Sequence, residues 1–293
     1  MYVDSGSTDN SIALARSRNV AVVELDLTQP FTAARARNEG FRRLQELAPS
    51  MSYVFFVDGD CEVACDWVQS ARQFLDQHPG AAVVCGWRRE RHPDQSVYNL
   101  LCDIEWDGPV GEVRYCGGDA VMRATAFKQA GGYRADMICG EEPELCVRLR
   151  QANWQIWRIP QVMTLHDAAI HRFGQWWRRM KRGGYAFALG AALHGAPPER
   201  HWVAESRRIW IWGLGVPAAT LILVSLAGAW GALLLLLYPL QIVRLALLGK
   251  RTRLQNWLLS LSLVVGKFPE MLGQLKFVAD RMRRSRSALI EYK

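Results

Sequence analysis

Tyr53-Val54-Phe55-Phe56-Val57-Asp58-Gly59-Asp60 is a short apolar run that stops on two carboxylates separated by one glycine. Four to eight β-branched and aromatic residues ending in turn formers read as a buried strand. The carboxyl end of such a strand is the rim of an α/β sheet, where ligands bind, and Gly59 lets the backbone come close to one. Two hard oxygen donors at this rim suit Mg²⁺ or Mn²⁺, which take one or two carboxylates and complete their shells with water and substrate phosphates. The same residues also fit an Asp-rich turn capping the next helix, so the flanking chain has to decide.

Upstream, Tyr2-Val3 runs into the turn cluster Asp4-Ser5-Gly6-Ser7-Thr8-Asp9-Asn10, and Ser11–Arg18 has helical composition with an N-cap available from Thr8 to Ser11. Val20–Leu27 reads as a second strand. Phe31–Leu47 reads as a helix with Phe31, Ala34, Phe41, Leu44 and Leu47 on one face and Arg35, Arg37, Arg42 and Arg43 mostly on the others. Strand, helix, strand, helix, strand predicts a mostly parallel sheet with helices on both faces.

Three stretches now stand in order: Val3-Asp4-Ser5-Gly6-Ser7-Thr8-Asp9, Ala34-Arg35-Ala36-Arg37-Asn38-Glu39-Gly40 and Val57-Asp58-Gly59-Asp60. Together they resemble glycosyltransferase family 2, inverting enzymes of GT-A fold that use sugar nucleotides, and the resemblance extends over about residues 2–185. It implies that Asp4, with Ser5 and Asn38 of the same motifs, meets the nucleotide of the donor. It also implies that Asp58 and Asp60 hold a divalent cation, Mg²⁺ or Mn²⁺, on the donor diphosphate. Family members usually begin with a further strand and helix. Neither precedes Val3, so the chain is expected to lack them, to expose an apolar sheet edge and to be unstable and nearly inactive as it stands.

Downstream, Ala64–His78 reads as a helix closed by Pro79-Gly80, Ala81–Trp87 as a strand, and Arg88–Asp107 as mixed polar chain. Tyr115-Cys116-Gly117-Gly118-Asp119-Ala120-Val121-Met122-Arg123 resembles the family segment lining the acceptor side of the sugar pocket, which implies that role for Gly117, Gly118 and Asp119. A β-bulge explains the paired glycines as well. Gly140-Glu141-Glu142-Pro143-Glu144-Leu145 opens a helix and resembles the family's acidic catalytic segment, with Glu142 where Asp is usual. Inverting transfer needs one carboxylate to take the acceptor hydroxyl's proton, and Glu142 or Glu141 is expected to be that base. A helix N-terminus attracts acidic residues regardless. Trp154–Ile159 and Val162–Leu165 read as two short strands, and His166 after the second resembles the histidine that supplements metal or diphosphate binding. In Arg172–Arg182, Gln175 and Arg178 fit the donor-side Q-x-x-R-W spacing of processive synthases, although Arg179 stands where Trp would be; the aromatic and basic mixture also fits a helix lying on anionic lipid.

Ile209–Val243 is 35 residues without a charge. One bilayer core needs about 20 residues and two need roughly 40, so a tight hairpin turning near Ala227–Gly231 accommodates the run. Arg207-Arg208 and Lys250-Arg251-Arg253 flank it, which puts both ends in the cytoplasm. Charge is divided accordingly: residues 1–171 carry 17 Lys+Arg against 23 Asp+Glu, and residues 172–293 carry 19 against 5. The basic residues flank a lipid-length segment while the α/β part is acidic, which excludes nucleic acid as the partner. Seven cysteines without a C-x-x-C pair fit a reducing compartment.

The expected organisation is a catalytic domain over 1–171, a basic aromatic interfacial region over 172–206, a transmembrane hairpin over 207–249 and a basic amphipathic tail over 250–293. The expected activity is transfer from a sugar nucleotide, uridine favoured, to a lipid-linked or saccharide acceptor at the cytoplasmic face of the inner membrane. The alternative is a non-catalytic relic of such an enzyme.

Overall fold

The structure, a computed structural model, describes residues 1–283. It divides into two compact units, one of residues 1–91 and 103–168, the other of residues 92–102 and 169–283. The first unit opens with β1 (Tyr2–Asp4), α1 (Ser11–Ser17), β2 (Val22–Glu24), α2 (Ala33–Leu47) and β3 (Tyr53–Phe56). β4 (Cys61–Val63), α3 (Trp67–Gln77), β5 (Ala81–Glu90), β6 (Gly111–Glu112) and β7 (Ala120–Arg123) follow, and α4 (Val97–Trp106), between β5 and β6, has residues 97–102 in the second unit and 103–106 in the first. α5 (Ala124–Gln129), α6 (Glu141–Gln151) and β8 (Gln155–His166) complete the α/β part.

β1 and β2 pair in parallel as a separate two-stranded sheet, and the main sheet runs β3-β7-β5-β8-β4 with β6 against β8. The expectation of a mostly parallel sheet is corrected here. In the main sheet only β5 and β8 are parallel, whereas β7 runs antiparallel to both β3 and β5. The two strands expected over 154–165 are one long β8. Its register with β5 jumps between Cys85↔Arg158 and Trp87↔Val162, so exposed Pro160 falls at the irregularity, where its missing N–H breaks no ladder bond. Within the span read as mixed polar chain, Leu101, Cys102 and Ile104 of α4 are buried.

α2 begins at Thr32, whose hydroxyl accepts from Arg35 N at 3.0 Å and donates to Ala135 O at 2.9 Å. Its buried residues are Ala34, Gly40 and Phe41, while Phe31 and Leu47 are exposed. Phe41, Phe56, Phe127 and Tyr133 form one aromatic cluster, with centroids 4.6 Å apart for Phe41–Phe127 and 5.0 Å for Phe56–Phe127. Phe56 is the last residue of β3, so this cluster anchors the strand just ahead of the Asp58 loop.

The second unit holds α7 (Phe173–His194) and α8 (Val203–Trp210), then a π-helical turn Ile211–Gly215, α9 (Val216–Ala227) and a 3₁₀ stretch Gly228–Leu236. α10 (Leu237–Leu248), α11 (Arg253–Val265) and α12 (Lys267–Arg283) follow. The chain reverses at Gly228, whose φ of 62° and ψ of −149° suit glycine alone. After the turn Gly231 lies against the backbone of Leu223 and Val224, and Tyr238 Oη donates to Trp212 O at 2.6 Å. α12 is not a loose tail: a Cβ on Gly184 of α7 would stand 1.9 Å from Glu270 O, and one on Gly273 of α12 would stand 2.0 Å from Lys181 O. Two helix backbones touch there, which only glycine permits. Of the basic amphipathic tail expected over 250–293, residues 284–293 lie outside the described residues.

Candidate active site

Sheet pairing builds the site. The Asp58 loop leaves β3 and turns into β4, Cys61 N donating to Asp58 O at 3.1 Å. Cys61 pairs with His166 at the end of β8, which brings the histidine beside Asp60. Asp119, at the start of β7, is fully buried and gathers the loop: its Oδ1 accepts from Asp58 N at 3.0 Å, and its Oδ2 accepts from Arg88 Nε at 3.0 Å, Thr164 Oγ1 at 2.8 Å and Cys61 Sγ at 3.3 Å. Asp119 was expected at the acceptor. Its oxygens are instead spent inside the protein, on the backbone and side chains that shape the Asp58 loop.

Two arginines flank Asp58. Arg37 Nη2 donates to Asp58 Oδ1 at 2.6 Å and its Nη1 to Glu141 Oε1 at 2.8 Å, while Arg88 Nη2 lies 3.3 Å from Asp58 Oδ2 and 2.7 Å from Asp119 Oδ2. Burial pushes the Asp58 carboxyl up, but Arg37 and Arg88 outweigh it and hold the group below its ordinary value. Arg37 shows the converse balance: burial disfavours its charge, and Asp58, Tyr133 and Glu141 more than restore it. Gly118 makes room for the pair, since a Cβ there would meet Arg37 Nη2, Arg88 Nη2 and Asp58 Oδ2 at 3.2 Å. Against two guanidiniums stand Asp58, Asp119 and Glu141, and Asp60 adds a fourth carboxylate alongside. Taken as ionised, the group carries two negative charges more than it carries positive ones, matching one divalent cation.

The donor atoms fit such an ion. Asp60, Cys61 and His166 each bring a ligand atom within 4.8 Å of the others. His166 Nε2 is 3.4 Å from Asp60 Oδ1, and its Nδ1 is buried without a hydrogen-bond partner among the described residues. The Asp60 side chain remains 45% exposed and His166 7%, so the pair faces from the protein interior towards solvent. Carboxylate and imidazole suit Mg²⁺ or Mn²⁺. Burial, and then the charge of Asp119, push the Cys61 thiol up, so it remains a neutral donor to Asp119 rather than a thiolate.

The other expected residues divide. Asp4 is buried, and its carboxylate accepts from Gly6 N at 2.8 Å, Ser7 N at 3.1 Å and Tyr2 Oη at 3.2 Å. The Ser7 hydroxyl first, then these donors, hold its carboxyl below the usual range. Ser5 beside it is exposed. Asn38 does not reach outward: its Nδ2 donates to Tyr133 O at 2.7 Å and its Oδ1 accepts from Tyr133 N at 2.9 Å. Glu141 is bridged to Arg37, and Glu142 turns inward, its Oε1 accepting from Cys116 N at 2.7 Å, Cys116 Sγ at 3.0 Å and Cys146 Sγ at 3.1 Å. Gly117 has φ 93° and is exposed. Gln175 and Arg178 belong to the second unit. There Gln175 caps α7, its Oε1 accepting from His171 N and Arg172 N and its Nε2 donating to Ala169 O, while Arg178 is exposed.

Two expected results follow from these contacts. Asn38→Ala deletes both bonds to Tyr133 and strands two backbone groups, costing about 1–3 kcal/mol. The loss should register as a lower thermal midpoint with little change in donor KM; a large KM change at unaltered stability would return Asn38 to the donor. The second concerns acid. Because Asp58 has a depressed pKa in the folded state, its contribution is complete above the unfolded value of about 3.9 and is lost as pH falls through the folded one. The thermal midpoint of the wild type should therefore drop more steeply than that of Asp58→Asn between about pH 5 and pH 2. Parallel slopes would place the acid sensitivity elsewhere.

The model of glycosyl transferase family 2 matches residues 1–111. Among solved structures, the mannosyltransferase PcManGT from Pyrobaculum calidifontis, in complex with GDP-Man and Mn²⁺, is similar over 95% of this chain and 77% of its own, at 19% identity and a TM-score of 0.61. TarS 1-349 of S. aureus is similar over 97% of this chain and 81% of its own, at 12% identity and a TM-score of 0.50. No curated protein matches the chain. At these identities the structural likeness speaks for the fold, and the family match speaks for the chemistry of the segment carrying Asp4, Asn38, Asp58 and Asp60. Residues 1–111 thus match glycosyl transferase family 2, the chain has a GT-A-like α/β fold, and it is a glycosyltransferase.

Proposed function

We propose that the chain transfers a sugar, with inversion, from a nucleotide-sugar donor to a hydroxyl of a lipid-linked or saccharide acceptor, in a reaction dependent on Mg²⁺ or Mn²⁺. The observation that carries this reading is the convergence of Asp58, Asp60 and His166 at the ends of β3 and β8, in a carboxylate-rich group balanced for one divalent ion. Asp60 and His166 are the direct ligands. Asp58, tethered by Arg37, Arg88 and the Asp119 anchor, would help hold the ion. When bound, the cation neutralises the charge that develops on the departing diphosphate. Asp4 holds the nucleotide end of the donor, with Ser5 exposed beside it. Glu142 serves as the base: its Oε1 is taken by three hydrogen bonds, which fix the carboxylate and leave Oε2 for the acceptor's proton. Glu141 positions Arg37. The test is turnover of a panel of UDP- and GDP-sugars by the purified protein, with Mg²⁺, Mn²⁺ or chelator. The reading requires cation-dependent turnover of at least one; turnover undiminished by chelator would refute it.

The anchoring part of the proposal rests on the second unit. Val203–Leu248 is the one described helical stretch long and apolar enough to cross a membrane, with 11% of its most apolar window buried. Leu221, Leu226, Trp230, Leu240 and Leu247 are 62–78% exposed, a surface that water penalises and lipid does not. From Ile209 to the reversal at Gly228 a helix rises about 28 Å, close to the roughly 30 Å of a bilayer core. Arg200, Arg207 and Arg208 line a groove with Val203, Ala204 and Ile211 at its foot, a suitable contact for anionic headgroups. We read this as a hairpin in the inner membrane with the catalytic unit cytoplasmic. Reporter fusions at Gly195 and after Lys293 should both signal the cytoplasm, and a periplasmic signal from either contradicts the topology.

A further inference from the structure

Behind the candidate base lies a group of side chains that the proposed reaction does not use as reactants. Cys116, next to exposed Gly117, and Cys146, on α6, are both buried, with their sulfurs 3.6 Å apart and each within 3.1 Å of Glu142 Oε1. One ligand atom from each of the three lies within 4.8 Å of the other two. Cys85 of β5, also buried, is within electrostatic reach of Glu142, Cys116 and Cys146. So is Tyr133, whose buried hydroxyl has no hydrogen-bond partner among the described residues.

We propose that Cys116, Cys146 and Glu142 form a second cation site, one that takes a thiophilic divalent ion of the Zn²⁺ or Cd²⁺ class, and that filling it withdraws Glu142 from catalysis. The first half stands on geometry alone; the second rests on Glu142 being the base. A tetrahedral ion with Zn–S near 2.3 Å places two sulfurs about 3.8 Å apart, so the observed 3.6 Å is close to the coordinated spacing. The S···O separations of 3.0 and 3.1 Å are those of S–H···O bonds and need to open by about half an ångström when the ion replaces the protons. Binding breaks two S–H bonds, forms two metal–sulfur bonds and releases two protons to the buffer. Two thiolates and one carboxylate then surround a charge of two, with a water as fourth donor. Softness separates this site from the Asp60–His166 pair: sulfur selects Zn²⁺ or Cd²⁺, whereas carboxylate, imidazole and diphosphate suit Mg²⁺ or Mn²⁺. Cys116 adjoins Gly117, which is exposed and has nothing within 4 Å of where a Cβ would stand. An ion held here fixes the Glu142 carboxylate by coordination and removes the lone-pair basicity that proton transfer needs.

The test is Cd²⁺ titration of the full chain in detergent with Mg²⁺ in excess, read by thiolate-to-cadmium ultraviolet absorbance, by proton release and by transfer activity. One tight ion per chain with two protons released is expected. Cys146→Ala and, separately, Cys116→Ser should weaken it at least about 100-fold, beyond the 10–100-fold that outer-shell changes cost. Cys65→Ser, which removes an exposed thiol, should leave the affinity unchanged. Transfer should fall in step with occupancy and return on chelation of Cd²⁺ with Mg²⁺ resupplied. Equal affinity and proton release in wild type, Cys146→Ala and Cys116→Ser would overturn the site. Full occupancy with undiminished transfer would overturn its effect on Glu142. A wild type that binds Cd²⁺ as described but shows no transfer even without it would count against the functional reading and not against the site.

Discussion

Replacing Arg37 by methionine is expected to lower the thermal midpoint by about 6–20 °C, from a loss of about 3–5 kcal/mol when a buried pair is broken and about 2–4 °C per kcal/mol for a unit of this size. The guanidinium touches two carboxylates from different parts of the chain, Asp58 after β3 and Glu141 at the start of α6. Methionine preserves the stem and removes the charge, which leaves both carboxylates facing a partly desolvated space. Against a total stability of about 5–15 kcal/mol that is a large fraction. Arg37→Lys keeps one cation but cannot serve both partners with a planar fork, so it should recover part of the loss. Differential scanning fluorimetry of the three proteins decides. A methionine variant within a degree or two of wild type would show that the ion pairs contribute little and that the charge balance drawn around Asp58 is incorrect.

Asp60→Ala is expected to act in the opposite way, on activity and not on stability. Its side chain is 45% exposed, so water screens its 3.4 Å pairing with His166 Nε2 and its removal should cost the fold little. Loss of a direct ligand should lower cation-dependent transfer by more than about 100-fold, since even outer-shell partners cost 10–100-fold. His166→Ala should follow the same pattern, because its Nε2 faces Asp60 Oδ1. Each variant is assayed across a range of Mn²⁺ concentrations beside its melting curve. An Asp60→Ala protein with wild-type kcat/KM and unchanged Mn²⁺ dependence would remove Asp60 from the metal.

How much of this was legible in the chain depended on sequence distance. The Asp58 loop is a local feature, an apolar run followed by turn formers, and composition alone places it at a strand end. Arg37 was within a quoted motif, yet the helix was read with its arginines outward. The buried phase of α2 passes through Ala34, Arg37 and Phe41, a spacing that puts a charge in an apolar stripe and so signals a buried partner. Asp119, Arg88 and Thr164 were out of reach: their meeting depends on β7 lying between β3 and β5, an antiparallel insertion that a strand of four residues, Ala120–Arg123, does not announce. Asn38 was assigned outward by resemblance, and only the structure shows its amide spent on the Tyr133 backbone. The inward turn of Glu142 likewise depends on two thiols that come from separate elements.

The central claim is that the Asp58 loop and His166 hold a divalent cation against the diphosphate of a sugar nucleotide. Calorimetric titration of UDP and of GDP into the detergent-solubilised full chain, with Mn²⁺ and with chelator in its place, tests it most directly because no acceptor is needed. The account predicts that at least one nucleotide binds with Mn²⁺, that this binding is lost with chelator, and that Asp60→Ala loses it too while melting like the wild type. Binding of equal strength with and without Mn²⁺, unaffected by Asp60→Ala, would contradict it.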